Sequence, residues 1–451
     1  MNTTGSARLP RRVLLAYIAP ACVIALPTIP VYIFLPSLYG DDLGLGLAVT
    51  GGILLIARLL DTVSDPIVGV LTDRYSFRGA KRKPFIALGA LIAGPALWNL
   101  LIPPADVGAV YLLVWSVILY VGWTLIYVPY TTWGAELSDD YHERTRLTTW
   151  REAASLAGIL GAGAVVAIAA PLTGETEASS ILGPTGLVAL TTILLGIIVF
   201  PVMMLLAPDS ALPRGERRST RFSLGELVDV FRNRIFIRLL VAWFINGIAN
   251  GVPAVLFFLY LEFGLGVTDD QRPAFVFLYF AAAVVAMPCW FAISHNFGKH
   301  RTWCWAMLMT CLAFVFVPFL PSGALWAFAA ICLVSGFGLG ADLALPPAIQ
   351  ADVSDYDRWT SRKRRTGLQF SLWSMSTKLA LALAAGLALP GVEVLGFNPE
   401  QPDTQGLSAL VVIYALVPVV IKVIAVIVMW RFPLTQNRQA AIRSRLDRRE
   451  V

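Results

Sequence analysis

Arg58, Asp61 and Asp65 interrupt an otherwise apolar run between residues 51 and 70, just before Pro66. On an α-helix, positions 58, 61, 65, 69 and 72 share one side. An ionisable side chain in a bilayer segment costs roughly 2.5–3.5 kcal/mol on insertion scales. Such groups persist where they face a cavity, pair with one another or bind an ion. Asp61 and Asp65 offer carboxylate oxygens, the ligand type that hard cations such as Na+ prefer. The same acids carry a proton instead if burial raises a pKa toward neutrality. The competing structural reading is an internal salt bridge of the aspartates with Arg58 and Lys378. Ion binding is the stronger reading, with Arg58 as a charge partner.

Other polar residues fall deep in apolar segments. Lys378 lies too far from either interface to snorkel, and a carboxylate partner is expected, either on the acidic face of the 51–70 segment or at Asp342. Asp342 sits in Gly336-Phe-Gly-Leu-Gly-Ala-Asp342 and is expected either to bind substrate or to form a structural ion pair. Lys422 has no motif around it and is expected to pack or to snorkel along lipid. Tyr120, Trp123, Tyr127 and Thr131 form a stripe at i, i+3, i+7 and i+11. Aromatic rings with hydroxyls suit a sugar, which offers C–H faces and OH groups; packing is the alternative. Asn246 and Asn250, one turn apart, either line the same cavity or bond between helices.

These residues need membrane helices to position them. Of the 451 residues, 57% are hydrophobic and 14% charged, against about 25% charged in soluble domains. Apolar runs long enough to span a bilayer are read near 13–38, 47–71, 84–103, 108–135, 147–170, 183–207, 235–261, 272–294, 302–320, 324–350, 366–390 and 407–430. Lys and Arg cluster at alternate span ends, the positive-inside pattern, which places both termini in the cytoplasm. The net charge of +6 is therefore topological, and no nucleic acid is expected. The first span is rich in proline and lacks a small-residue cleavage site, so it is not read as a removable signal. The cysteines show no metal spacing, and His142, His295 and His300 fall at loops or span ends. An intramembrane enzyme would want a His/Asp or metal constellation inside the spans, and a sensor would want an output domain. Neither is visible, and no cofactor is expected beyond a coupling ion.

An internal repeat divides the chain. Pro129…Ala135-Glu-Leu-Ser-Asp-Asp-Tyr141 is echoed by Pro346…Ala351-Asp-Val-Ser-Asp-Tyr356, each followed by a basic loop. A weaker echo joins Gly79-Ala-Lys-Arg-Lys to Gly298-Lys-His-Arg. The expected units are a six-helix bundle over 1–207 carrying the cation site, a linker over 208–234, a second bundle over 235–433 and a basic tail over 434–451. Parallel six-span repeats are how major-facilitator transporters are built, with substrate near the midplane. Asp73, Glu136, Arg144, Asp352, Asp355 and Arg364 are expected to form gate-closing ion pairs at cytoplasmic span ends.

Arg58-x-x-Asp61-x-x-x-Asp65-Pro66-x-x-Gly69-x-x-x-Asp73 with Gly79-x-Lys-Arg-Lys-Pro84 resembles the glycoside–pentoside–hexuronide:cation symporters, the family of melibiose permease. Val128-Pro-Tyr…Ala135-Glu-Leu…Arg151 is similar to its fourth-to-fifth helix signature, and Asp352-x-x-Asp355-Tyr…Arg364-x-x-Gly367…Trp373…Lys378 to another. The resemblance implies an all-α membrane protein of twelve transmembrane helices with the major facilitator fold. It implies Asp61 and Asp65 as ligands of Na+ or H+, with the Thr124 hydroxyl nearby. It implies Arg151 at the sugar, Lys378 as important for transport, and Trp373 among the substrate residues. Two of the family's sugar-binding acids fall instead at Ala25 and Tyr127. The expected function is cation-coupled symport of a sugar or glycoside by a monomer in a bacterial inner membrane. A lysolipid or other amphiphile, or efflux, is the alternative.

Overall fold

The computed structural model describes residues 9–28, 30–31, 35, 38–75, 80–104, 107–138, 140–173, 183–208, 224–268, 271–363, 365–397 and 403–450. Arg364, expected at a gate, lies outside the described residues. Helices follow the expected spans: α1 (Arg11–Ala25), α2 (Leu47–Arg74), α3 (Lys83–Leu101), α4 (Ala109–Glu136), α5 (Tyr141–Thr173), α6 (Pro184–Leu206), α7 (Arg234–Leu259), α8 (Arg272–Phe297), α9 (Lys299–Val315), α10 (Leu325–Ser361), α11 (Thr366–Val394) and α12 (Thr404–Trp430). Outside these spans lie a short helix, Leu224–Phe231, before α7 and a last one, α13 (Gln436–Glu450). Among the described residues, 9 helices are long and apolar enough to cross a membrane. The other three are α1, α2 and α5. Of these, α2 carries Arg58, Asp61, Asp65, Asp73 and Arg74, and α5 opens with Glu143, Arg144, Arg146, Arg151 and Glu152 before an uncharged run.

A chain in lipid must satisfy its backbone internally, which is why the spans are helical despite internal prolines such as Pro66, Pro129 and Pro253. Side chains cap several helices at the polar boundaries. Asp140 Oδ1 accepts from the backbone N–H of His142 and Glu143 at 2.9 and 2.8 Å, opening α5. Asn233 caps α7 and Asp403 caps α12 in the same way.

The chain divides into two compact units, Met1–Phe222 with Arg364–Leu372, and Ser223–Lys363 with Trp373–Val451. In the first, α1 lies along α5, α3 along α4, and α2 against α4. Gly158 sets the α1–α5 approach: a Cβ there would stand 2.2 Å from the carbonyl oxygen of Cys22. Tyr17, Tyr130, Trp133 and Leu147 join the core beside that contact. In the second unit α8 and α9 both flank α10, and α7 lies along α12. Tyr260 and Tyr414 stack there at 4.3 Å, each in a π-helical turn that aims its ring inward.

Candidate functional site

The outward face of α2 exposes Leu55, Leu59, Leu60, Val63 and Ile67. Its inward face buries Asp61 and Asp65, which are 6% and 1% exposed. The helical period alone forces this split, and the α2–α4 contact decides what the acids meet. They meet Thr124 on α4. Its Oγ1 stands 2.8 Å from Asp61 Oδ1 and 2.9 Å from Asp65 Oδ1. Ser64 Oγ lies 3.4 Å from the same hydroxyl and donates to the carbonyl of Asp61 at 2.8 Å. Thr124 has one hydroxyl proton and two carboxylates at bonding distance. Whichever acid receives it, the other presents an oxygen to an oxygen. One positive charge, a cation or a proton on a carboxylate, removes that conflict. The donor set is all oxygen and fits a hard monovalent cation. Arg58, expected as a charge partner, is exposed on α2.

A second polar group adjoins this one in the same unit. Arg151 on α5 is buried and donates through Nε to Glu152 Oε1 at 3.0 Å, with Nη2 on the same oxygen. Tyr17 and Tyr130 border it. Each phenol donates to the other's carbonyl, Tyr17 at 3.0 Å and Tyr130 at 2.6 Å, and their rings lie 4.9 Å apart. Tyr127 is 41% exposed on α4 and lies within Coulombic range of Glu152, Arg151 and Asp65. It therefore lies in the vicinity of both the Arg151 group and Asp65.

The expected aromatic stripe is only partly realised. Tyr120 and Thr131 are buried, and Tyr127 is open. Trp123 turns aside with Leu119 and Ile126 to line an apolar groove of about 420 Å³, whose other walls include Val23, Ala90 and Ile197. The reason is angular. At 100° per residue Trp123 is nearer Leu119 and Ile126 than Thr124 and Thr131.

Acid–base clusters close the ends of both repeats. Arg82 is fully buried and donates to Asp73 Oδ1 at 2.9 Å and to Glu136 at 2.6 and 3.0 Å. Lys81 adds a bridge to Glu136 at 3.1 Å. Burial works against the Arg82 charge, but Glu136 and Asp73 more than offset it and raise its pKa. Asp73 also accepts the backbone N–H of Gly367 and Leu368, both at 2.9 Å, from the α11 segment that belongs to this unit. In the second unit Asp352 takes Lys299 at 2.6 Å, and Asp355 takes Arg443 at 3.7 Å. Glu136–Lys81 and Asp352–Lys299 join the two sequence echoes: the repeated acid meets the basic residue after the repeated glycine. Arg144 Nε donates to the Ser138 carbonyl at 2.8 Å.

The second unit corrects the expectation for Lys422. Lys422 neither snorkels nor merely packs. It is 3% exposed and donates to Asn246 Oδ1 at 2.8 Å, Asn250 Oδ1 at 2.7 Å and Asp342 Oδ2 at 3.1 Å. The ammonium that bonds Asp342 is that of Lys422; Lys378 was expected either there or on the acidic face of α2. Asp342 also accepts from Trp303 Nε1 at 2.5 Å and Asn250 Nδ2 at 2.9 Å. Asn246 and Asn250 serve this interhelical network. A narrow cleft of about 30 Å³ touches Asn250, Asp342 and Lys422, room for about one or two waters. Trp373 stacks on Trp243 at 4.4 Å and 18°, and Trp243 donates to Thr377 at 2.7 Å.

Glu152, Tyr17, Tyr130, Trp303, Trp243 and Lys299 were not expected at these sites. Glu152 carried a usable signal, since it is an acid entering an apolar span beside Arg151. The others are aromatic or basic residues of types too common to stand out from spacing.

A family model described as MFS/sugar transport protein matches residues 16–436. The putative glycoside/cation symporter YagG of Escherichia coli (strain K12) is 26% identical over 90% of this chain and 88% of its own. The glucuronide carrier protein homolog of the same organism is 22% identical over 93% and 91%. Among solved structures, the proton:xylose symporter XylE bound to 6-bromo-6-deoxy-D-glucose superposes with a TM-score of 0.68, with 13% identity over 96% of this chain and 98% of that one.

Proposed function

Because the chain belongs to the MFS/sugar transport protein family, we propose that it moves a sugar or glycoside across a bacterial inner membrane in symport with a cation. It is a multi-pass membrane transporter with the twelve-helix major facilitator fold, not an enzyme. In the proposed mechanism Asp61, Asp65 and Thr124 hold the cation, Na+ or H+. Arg151, Glu152 and Tyr127 hold the sugar, close enough for each ligand to alter the field at the other. Coupling requires that the two ligands together favour states that neither favours alone. In this reading both termini lie in the cytoplasm, which the basic loops support, and the monomer is the working unit. The clusters around Arg82 and Lys299 open and close with the cycle.

The observation that carries this reading is the single Thr124 hydroxyl shared by two buried carboxylates, an all-oxygen group at membrane depth. The relatives' names connect sugar and cation: one is described as a glycoside/cation symporter, the other as a glucuronide carrier homolog. Uptake by proteoliposomes of a sugar panel, under an imposed Na+ or H+ gradient, tests it. A sugar should accumulate above equilibrium under one gradient and only equilibrate without it. Accumulation indifferent to both gradients would reject symport.

A further inference from the structure

The Arg151–Glu152 pair bears on which sugars the site accepts, an inference that rests on the reading above. Both guanidinium contacts fall on Glu152 Oε1. Oε2 takes no hydrogen bond among the described residues and belongs to a side chain that is 16% exposed. The neighbouring Tyr127 is open as well, and its hydroxyl makes no hydrogen bond among the described residues. The site therefore presents a charged acceptor with a phenolic donor-acceptor in its vicinity. Adjacent hydroxyls of a pyranose supply the matching donors and acceptors, and a carboxylate is the strongest neutral-sugar acceptor a protein has.

Charge accounting points the same way. Glu152 neutralises Arg151. A sugar bearing a carboxylate or sulfonate would meet an occupied guanidinium and, at Glu152 Oε2, a charge of its own sign. An unpaired like charge in a desolvated site is how a binding site rejects a near-isostere.

We propose that Glu152 is a specificity-determining residue: it occupies Arg151, offers Oε2 to sugar hydroxyls, and restricts transport to neutral glycosides against hexuronides and sulfonated sugars. The test uses the full-length transporter in proteoliposomes with matched pairs differing only at C6: methyl glucoside against methyl glucuronide, and methyl galactoside against methyl galacturonide. The wild type should prefer a neutral member by about tenfold or more. Glu152→Gln frees the Arg151 charge and removes one acceptor charge. It should weaken the neutral sugar by about tenfold and narrow or reverse the preference. Glu152→Asp, which keeps the charge, should keep the direction of the preference. Cation-dependent thermal stabilisation, read on the same variants, reports that the aspartate site is intact. Sugars transported with equal preference by the wild type, or a preference unchanged in Glu152→Gln, would overturn the inference alone. Transport of no sugar in the panel would overturn the sugar reading and this inference with it.

Discussion

Each unit buries a cluster of ionisable side chains at membrane depth, and the two clusters are finished differently. In the second unit Asp342 and Lys422 neutralise one another, and Asn246, Asn250 and Trp303 take up further bonding capacity. In the first, two acids converge on one hydroxyl, and the Arg151–Glu152 pair leaves a carboxylate oxygen and a phenol open. A buried network whose charges neutralise one another holds helix positions. A group with an open carboxylate oxygen and an open phenol has bonding capacity to offer a polyol. Buried charge alone therefore does not mark a transport site; open bonding capacity beside it does.

The contrast is most exposed to substitution at the aspartates. Asp61→Asn or Asp65→Asn should reduce gradient-driven accumulation to equilibrium, a loss of about a hundredfold or more for an ion ligand deleted from so small a set. Tracer uptake with and without the gradient reads this, with a thermal melt to show that the protein is folded.

The second cluster should respond in stability. Asp342→Asn or Lys422→Met alone leaves one buried charge uncompensated, at about 3–5 kcal/mol. The double variant removes both charges and should recover most of that loss, with sugar affinity close to wild type. Thermal melts of the three variants, with sugar binding measured on each, decide it. A double variant that melts normally but no longer binds sugar would move this cluster into the substrate site.

Two smaller effects sharpen the comparison within α4. Thr124→Ala removes the hydroxyl that the two acids share and should weaken the cation by about tenfold, while Thr124→Ser should not. Cation titration of the thermal shift measures both. Trp123→Leu should change sugar affinity by less than about twofold, because Trp123 lines the apolar groove and not the polar face. A large loss of sugar binding there would restore the full aromatic stripe.

Much of this was legible in the sequence. Helical spacing and the cost of charge in lipid single out Asp61 and Asp65, and the structure buries both against Thr124. The repeat around Glu136 and Asp352 marks two acids that each receive a lysine. Pairing between distant helices was less legible. Lys422 lies in a plain apolar run, and nothing local shows that α7 and α10 bring two amides and a carboxylate to it. Trp123 and Tyr127 differ by four residues, and a stripe drawn through both hides the angle that sends them to different surroundings. Glu152 was passed over beside the more conspicuous Arg151, although the reasoning applied to Asp342 holds equally for it.

The most direct measurement is sugar affinity as a function of cation concentration, made in parallel on the wild type, Asp65→Asn and the Asp342→Asn/Lys422→Met double variant. Linkage requires a coupling cation to raise sugar affinity. The wild type and the double variant should show the same cation-dependent rise, and Asp65→Asn a flat response. A rise that survives in Asp65→Asn and vanishes in the double variant would place the coupling site in the second unit and contradict the assignment made here.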